Sequence, residues 1–282
     1  MTIHCPLLRP LALLPTLLLA ACAGGITGSA SERLATAQAI AGPAGFTRQT
    51  VAANGFDITT FRKITATGQQ VTVYIEGDGR AWMSRTRPAR DPTPPDPLAL
   101  RLAALDRSAN VIYLARPCHY SRGAACAEPY WTHRRFAPEA VDALEQALNA
   151  ALPAPHGGIR LVGFSGGGAM AALLAARRND VIDLRTIAGN LAIAAHSDLH
   201  GVSPLSGSLD PVHAADRLRA IPQHHFIGGQ DTIVPPEIFR AYAAALGDQR
   251  CTHHTIVPEA AHEDGWPDFW RGGQTIQPAC AP

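Results

Sequence analysis

The chain lacks several features that would narrow its function at once. Its 282 residues carry a formal net charge of only +1, so there is no electrostatic reason to expect nucleic acid or an acidic partner. It contains no internal repeat and no low-complexity block, which excludes a repeat architecture. Charged residues make up 17% and hydrophobic residues 46%, a balance that predicts a folded chain with one large core.

The sequence also lacks an apolar run long enough to span a membrane as a mature helix. The run from Leu11 to Ala21, preceded by Arg9, is too short for a mature spanning helix and is typical of a targeting segment. It ends in Leu-Ala-Ala-Cys22, which resembles the bacterial lipoprotein cleavage box. That resemblance implies removal of residues 1–21, lipidation of Cys22 and a membrane anchor. An ordinary secretory signal is the alternative.

Cysteine is scarce, with six residues in the chain. Export would place the protein in an oxidising compartment, remove one cysteine with the leader and use Cys22 for the anchor. Four cysteines then remain and allow three pairings. We expect the pairing that closes a short loop and holds the C-terminal tail to the last strand, namely Cys118–Cys126 and Cys251–Cys280.

The most informative motif is Gly-Phe-Ser-Gly-Gly at residues 163–167. A short apolar run, Ile159–Val162, precedes it, and an alanine-rich segment from Gly167 to Arg178 follows with basic residues at its end. Strand, tight turn and helix in this order are typical of a nucleophile elbow, in which glycines allow a close approach of helix and strand. The motif predicts Ser165 as a nucleophile.

A serine hydroxyl needs a base within hydrogen-bond reach and a group that orients the base. Asp231 lies in the loop after a predicted strand at Gln223–Ile227, and His262 lies in the loop after the predicted strand Cys251–Val257. Asp210, before Pro211, is the alternative acid. Adjacent histidines elsewhere lie on predicted strands and point to opposite faces, so we expect no metal site, and no cofactor is implied.

The order Ser165, Asp231, His262, each after a strand, resembles the α/β-hydrolase superfamily. The resemblance covers the chain from about Phe46 onward. It implies an α/β fold with a mostly parallel central sheet, helices on both faces and little or no lid domain.

The same resemblance implies two backbone donors for the oxyanion of a tetrahedral intermediate. One is the Gly166 N–H, and the other, by position after the strand Val71–Ile75, is the Asp78 N–H, with Gly79 as a fallback. Glu76 stands where relatives often carry histidine. Arg80 either neutralises Asp78 or forms a solvated surface pair with it. The nearby arginines 85, 87 and 90 are interpreted as part of a solvated loop.

Three segments are expected along the chain: a lipoprotein signal peptide at 1–21, a lipidated tether at 22–45 with one possible short helix near Ser31, and a catalytic domain at 46–282. Residues 189–221 are too few for a cap, which predicts an open cleft.

These expectations lead to a tethered serine hydrolase, most simply an esterase acting on a small-molecule or acyl substrate. A peptidase, amidase or thioesterase would use the same residues, and a non-catalytic envelope binding protein is the rival from another class. We expect a monomer in the bacterial cell envelope. The resemblance to the lipoprotein cleavage box implies that it is anchored at the outer membrane.

Overall fold

A computed structural model describes residues 1–2 and 28–281. Eight strands form the central sheet: β1 (Thr47–Ala53), β2 (Phe56–Ile64), β3 (Val71–Ile75), β6 (Asn110–Leu114), β7 (Ile159–Phe164), β8 (Val181–Ile187), β9 (Gln223–Gly228) and β10 (Thr252–Val257). Their order across the sheet is β1-β2-β6-β3-β7-β8-β9-β10. The hairpin of β1 and β2 is antiparallel, β2 joins β6 antiparallel, and all later pairs are parallel.

A small second sheet pairs β4 (Trp82–Ser84) with β5 (Arg87–Pro88) in the loop after β3. The described helices are α1 (Ala30–Ala41), α2 (Leu98–Leu105), α3 (Pro138–Ala151), α4 (Gly166–Ala175), α5 (Ile193–Leu199), α6 (Ala215–Leu218), α7 (Pro236–Leu246) and α8 (Trp266–Gly273). Short 3-10 turns occupy Glu128–Trp131 and Pro211–Ala214.

Two hydrophobic clusters cover the two faces of the sheet. Helices α3, α4 and α7 contribute buried side chains to one cluster, and α1, α2 and α8 contribute to the other. The strands between them are buried on both sides, which is why every residue of β3 and β6 is buried and both strands consist mainly of large apolar and aromatic residues. The sheet order and the helices on both faces give the α/β-hydrolase fold that the motifs predicted.

The segment before residue 46 differs from the expected tether. Residues 30–41 form helix α1, which Ser29 caps, and its Ala37 and Ala41 are buried in the cluster beside α2. Arg33 reaches across to donate a hydrogen bond of 2.7 Å to the carbonyl of Thr93. The folded part of the chain therefore includes α1, which has a capping box and buries one face beside α2.

Residues 189–221 contain α5, a 3-10 turn and α6, and no cap domain lies in this described stretch. Both expected disulfides are present: Cys118–Cys126 closes a loop after β6, and Cys251–Cys280 fixes the tail beside β10. Within residues 1–2 and 28–281, no helix has the length and apolar character required to cross a membrane. The predicted leader and Cys22 lie outside the described residues.

Candidate active site

Ser165 lies in the turn between β7 and α4 with a φ of 51° and a ψ of −122°. An L-residue with positive φ is strained, and the surrounding packing holds it there. A Cβ at Gly163 would lie 2.3 Å from the Gly167 carbonyl oxygen, and a Cβ at Gly167 would lie 2.3 Å from the Ile75 carbonyl oxygen. The glycines are thus required by the close approach of α4 to β7 and β3, as the motif predicted.

The three separated motifs meet at this turn. The Nε2 atom of His262 lies 3.0 Å from Ser165 Oγ, and its Nδ1 atom lies 2.9 Å from Asp231 Oδ2. With the Nδ1–H donating to Asp231, Nε2 is left to accept the Ser165 O–H. This arrangement can move the serine proton onto His262 as Oγ attacks an electrophilic carbon, while Asp231 stabilises the imidazolium that forms.

Asp231 is held as an anion by its surroundings. Its Oδ1 accepts hydrogen bonds of 2.8 Å from the N–H groups of Ile233 and Val234, and its side chain is fully buried. Burial alone would raise the pKa of Asp231, but the hydrogen bonds from His262, Val234 and Ile233 outweigh it and lower the pKa below its ordinary value. The lowered pKa favours the charged carboxylate that accepts the hydrogen bond from His262.

Asp210, the alternative acid, serves a different purpose. Its carboxylate accepts hydrogen bonds from the N–H groups of Ala194 at 2.9 Å and Val212 at 3.3 Å. These contacts join the start of α5 to the 3-10 turn after Asp210. The side chain that reaches His262 is that of Asp231, so the structure favours Asp231 over Asp210 in this position.

Helix α8 holds the His262 loop in place. The indole N–H of Trp266 donates to the carbonyls of Ala261 at 2.9 Å and His262 at 3.0 Å, and the Trp266 side chain is buried. On the other side, the imidazole packs against the Phe164 ring at a centroid distance of 5.3 Å. A histidine on a loop is thereby held in one orientation.

The loop after β3 begins with Glu76, which is fully buried. Its Oε1 accepts from the N–H groups of Gly77 at 3.0 Å and Ala99 at 3.3 Å, and its Oε2 accepts the Tyr113 O–H at 3.1 Å. Ala99 lies in the first turn of α2, so Glu76 joins the loop to the N-terminus of that helix. Burial raises the pKa of Glu76 to about 7, because these donors only partly compensate for lost hydration.

Asp78 lies directly beside Gly166, the first residue of helix α4. A Cβ at Gly166 would fall 2.1 Å from Asp78 Oδ1, so the carboxylate occupies the space that any other side chain at 166 would need. The Gly166 N–H is the first of helix α4 and has no backbone acceptor within residues 28–281. Gly79 packs against the Pro92 carbonyl and the His119 ring, with a φ of 62°.

Two arginines neutralise Asp78, and neither is Arg80. Arg116 Nη1 lies 2.9 Å from Asp78 Oδ1, and Arg135 Nη1 lies 2.8 Å from Asp78 Oδ2. Burial would raise the pKa of Asp78, but the charges of Arg135 and Arg116 outweigh it and lower the pKa. The expectation that Arg80 pairs with Asp78 is wrong, because the Asp78 carboxylate turns inward to the buried guanidinium of Arg116.

Sequence reasoning missed Arg116 and Arg135. Both lie between β6 and α3, far from Asp78 along the chain, and no local spacing marks them as its partners. The only available signal was the acidic residue itself, since a carboxylate beside a developing anion requires neutralisation. His119, packed against the same loop, stays neutral because burial lowers its pKa to about 3.

No metal centre accompanies this site in the described part of the chain, where no group of three or more His, Cys, Asp or Glu side chains could hold an ion. The paired histidines of β9 and β10 are used in packing. His225, for example, lies 2.8 Å from the Thr186 hydroxyl and against the Phe239 ring.

Comparison with known proteins places this geometry in context. A protein-family model described as "Serine hydrolase (FSH1)" matches residues 119–262, about half of the chain, and includes Ser165, Asp231 and His262. No curated protein matches the chain.

Solved structures share the fold at low sequence identity. The Pyrococcus furiosus esterase Pf2001 aligns with a TM-score of 0.58 and 12% identity over 83% of this chain and 92% of its own. An acylaminoacyl peptidase of Pyrococcus horikoshii aligns with a TM-score of 0.57 and 14% identity over 81% of this chain and 39% of its own. A serine hydrolase involved in carbazole degradation gives 0.52 and 15% over 82% and 98%. These likenesses concern the fold alone.

Proposed function

Because the chain belongs to the serine hydrolase (FSH1) family, we propose that it hydrolyses carboxylic esters through an acyl-enzyme on Ser165. The observation that carries the proposal is the continuous hydrogen-bond path from Ser165 Oγ to His262 at 3.0 Å and from His262 to Asp231 at 2.9 Å.

In the proposed mechanism Ser165 attacks the acyl carbonyl while His262 takes its proton. The oxyanion is stabilised by the N–H groups of Gly166 and Asp78, at the position where the helix dipole of α4 is also favourable. His262 then donates its proton to the leaving alcohol. A water molecule, activated by the same imidazole, releases the acid and restores Ser165.

Ester chemistry is favoured over amide chemistry because the leaving group of an ester needs less help to depart than that of an amide. The absence of a cap domain between β8 and β9 in the described chain also leaves the cleft accessible to small acyl substrates. Peptidase, amidase and thioesterase activity use the same three residues and are the alternatives.

The test is a substrate panel applied to purified protein comprising residues 28–281. Aryl and alkyl esters, thioesters and matched amides of the same acyl group are compared by kcat/KM, with Ser165→Ala as the control. We expect the ester to be turned over fastest and Ser165→Ala to abolish turnover. Hydrolysis of amides or peptides without ester turnover would contradict the ester proposal, and binding without turnover would favour the non-catalytic rival.

We also propose that the enzyme resides in the bacterial cell envelope, tethered to the outer membrane through lipidated Cys22. The two disulfides support an oxidising compartment, since such bonds rarely persist in the cytosol. Membrane fractionation after feeding cells a radiolabelled fatty acid tests the anchor. We expect label on the full chain and none on Cys22→Ala. Equal partition of both chains into the soluble fraction would overturn the anchor.

A further inference from the structure

Residues 80–90, which we call the β4–β5 hairpin, have a fixed base and an exposed tip. At the base, the Ala89 N–H donates to the Ala81 carbonyl at 2.9 Å, and both alanines are buried. The Trp131 indole N–H donates to the Ala89 carbonyl at 3.0 Å, which joins the base to the body of the protein. Every residue from 82 to 87 is exposed. The tip is therefore held in solvent by a packed stem.

Two large apolar side chains lie at this tip. Trp82 is 41% exposed and Met83 is 40% exposed. The other three tryptophans of the chain are all buried, so the exposure of Trp82 is exceptional within this protein. Exposed apolar side chains that lie together mark contact with a protein or a membrane, and tryptophan is enriched where an apolar medium meets water.

The same hairpin is strongly basic. It carries four arginines, at positions 80, 85, 87 and 90, and no aspartate or glutamate. None of the four guanidinium groups has a hydrogen-bond or ion-pair partner among residues 28–281, and those at 85, 87 and 90 are exposed. Unpaired cations beside exposed apolar side chains are attracted to an anionic lipid surface.

The hairpin lies at the edge of the sheet that carries the proposed nucleophile. It follows the carboxyl end of β3, and Ser165 follows the carboxyl end of the neighbouring parallel strand β7. Asp78, two residues before the hairpin, lies beside Gly166. A surface that binds the hairpin would therefore face the active-site edge of the sheet.

The N-terminal end of α1 lies beside the base of the hairpin. Arg33, in the first turn of α1, donates to the carbonyls of Asp91 at 3.2 Å and Thr93 at 2.7 Å, directly after the hairpin. Gly28 follows Cys22 by only six positions, so the two residues lie at most about 22 Å apart. The proposed anchor at Cys22 would thus keep the hairpin within reach of a membrane surface.

A membrane fits these observations better than a protein partner does. Two apolar side chains form a patch far smaller than a stable protein interface, which takes roughly 20–30 residues from each side. The core of such an interface is also depleted of charge. At a lipid surface, two apolar side chains can enter the headgroup region while arginines bind the lipid phosphates.

We propose that the β4–β5 hairpin binds the surface of an anionic phospholipid membrane. Trp82 and Met83 enter the headgroup region, and the guanidinium groups contact the lipid phosphates. This binding requires neither turnover at Ser165 nor lipidation of Cys22. Its consequence is an orientation, in which the active-site edge of the sheet faces the bilayer.

Vesicle binding by protein comprising residues 28–281 tests the hairpin without the proposed anchor. The protein is mixed with vesicles of phosphatidylcholine alone, or of an equal mixture of phosphatidylcholine and phosphatidylglycerol, and the bound fraction is measured by sedimentation. We expect at least about tenfold stronger partition into the anionic vesicles, and added salt should weaken it. Equal partition into both kinds of vesicle, or partition into neither, would overturn the proposal.

The fluorescence of Trp82 locates the contact, because the other three tryptophans are buried. Anionic vesicles should shift the emission of the parent to shorter wavelength, and lipids brominated in the acyl chain should quench it. Trp82→Phe should still bind but lose most of both changes. Trp82→Ser/Met83→Ser should weaken partition at least about tenfold. A spectral change that persists in Trp82→Phe, or parent-like partition of the double variant, would place the contact elsewhere and overturn the proposal.

Matched arginine variants test the charge. Arg85→Gln/Arg87→Gln should weaken partition into anionic vesicles at least about tenfold. The control is Arg48→Gln/Arg107→Gln, which removes two exposed arginines, on β1 and before β6, that also have no side-chain partner among the described residues. It has the same net charge as the hairpin variant and should bind as the parent does. All the substituted side chains are exposed, so the variants should unfold at the urea concentration of the parent. Equal partition of the two double variants would overturn the proposal.

Discussion

At the scale of single residues, the account depends on which carboxylate orients His262. Asp231 and Asp210 are both buried and both accept backbone hydrogen bonds, but only Asp231 also reaches the imidazole. The sequence left this choice open because both aspartates precede helices or turns and resemble caps. Tertiary structure decides it, since β9 places residue 231 beside the loop after β10.

Asp231→Asn should lower kcat on the order of 10³- to 10⁴-fold, because the amide loses the charge that stabilises the imidazolium and can favour the wrong tautomer. Asp210→Asn keeps an acceptor oxygen for only one of the Ala194 and Val212 N–H groups, but neither group contacts His262, so its kcat should stay within a few-fold of the parent. Steady-state kinetics on the best ester compare the two. A larger loss in Asp210→Asn would contradict the assignment.

The ionisation of Glu76 makes the stability of the folded state depend on pH. Its folded pKa of about 7 lies above the ordinary value of 4.5, so the folded state holds a proton that the unfolded state has released between these values. The contribution of Glu76 to the free energy of unfolding is fully present below pH 4.5 and is lost as the pH rises to about 7. Over this range the free energy of unfolding falls by about 3 kcal/mol.

Glu76→Gln keeps the shape and the acceptor for the Gly77 and Ala99 N–H groups but cannot ionise. Relative to the parent, the variant should therefore gain free energy of unfolding as the pH rises from 5 to 8. Urea denaturation at a series of pH values measures the difference. A difference that is constant over this range would show that Glu76 does not titrate in it.

At the scale of elements, the loop after β3 contacts the N-terminus of α4, where we propose that the oxyanion is bound. Asp78 is clamped by Arg116 and Arg135 on one side and meets Gly166 on the other. The glycines of the elbow could be predicted from the motif, because their packing is local. The clamp could not be predicted, since its members come from three segments with no common spacing.

Gly166→Ala tests this contact, because the new Cβ would lie 2.1 Å from a carboxylate that two arginines hold in place. The loop must move, and we expect kcat to fall on the order of 10- to 100-fold with little change in KM, as for impaired oxyanion stabilisation. Gly272→Ala, which meets open space on α8, is the control and should behave as the parent. Parent-like kcat in Gly166→Ala would contradict the role of this contact.

At the scale of the whole molecule, the alternation of strands and helices and the triad order were enough to predict the fold from the sequence. Strand β3 has the expected bounds, and the strands predicted at Gln223–Ile227 and Cys251–Val257 are found at Gln223–Gly228 and Thr252–Val257. A short helix near Ser31 was expected only as part of a tether, because its small residues are typical of a linker, and its packing on α2 could not be predicted.

If α1 belongs to the folded unit, a protein that begins at residue 46 should be less stable than one that begins at residue 28. The shorter chain exposes the surface under Ala37 and Ala41 and loses the Arg33 hydrogen bond to Thr93. We expect the free energy of unfolding to fall by about 3 kcal/mol, from lost apolar burial and hydrogen bonding. Urea denaturation of both chains measures this. Equal free energies of unfolding would support the interpretation of the segment before residue 46 as a tether.

The central claim is that Ser165 is an activated nucleophile, and covalent labelling tests it without knowledge of the substrate. Protein comprising residues 28–281 is incubated with a fluorophosphonate probe, and the adduct is mapped by mass spectrometry. We predict one adduct on Ser165, none in Ser165→Ala, slow labelling in His262→Ala and normal labelling in Asp210→Asn. A folded protein that is not labelled, or a label on another residue that persists in Ser165→Ala, would contradict the account.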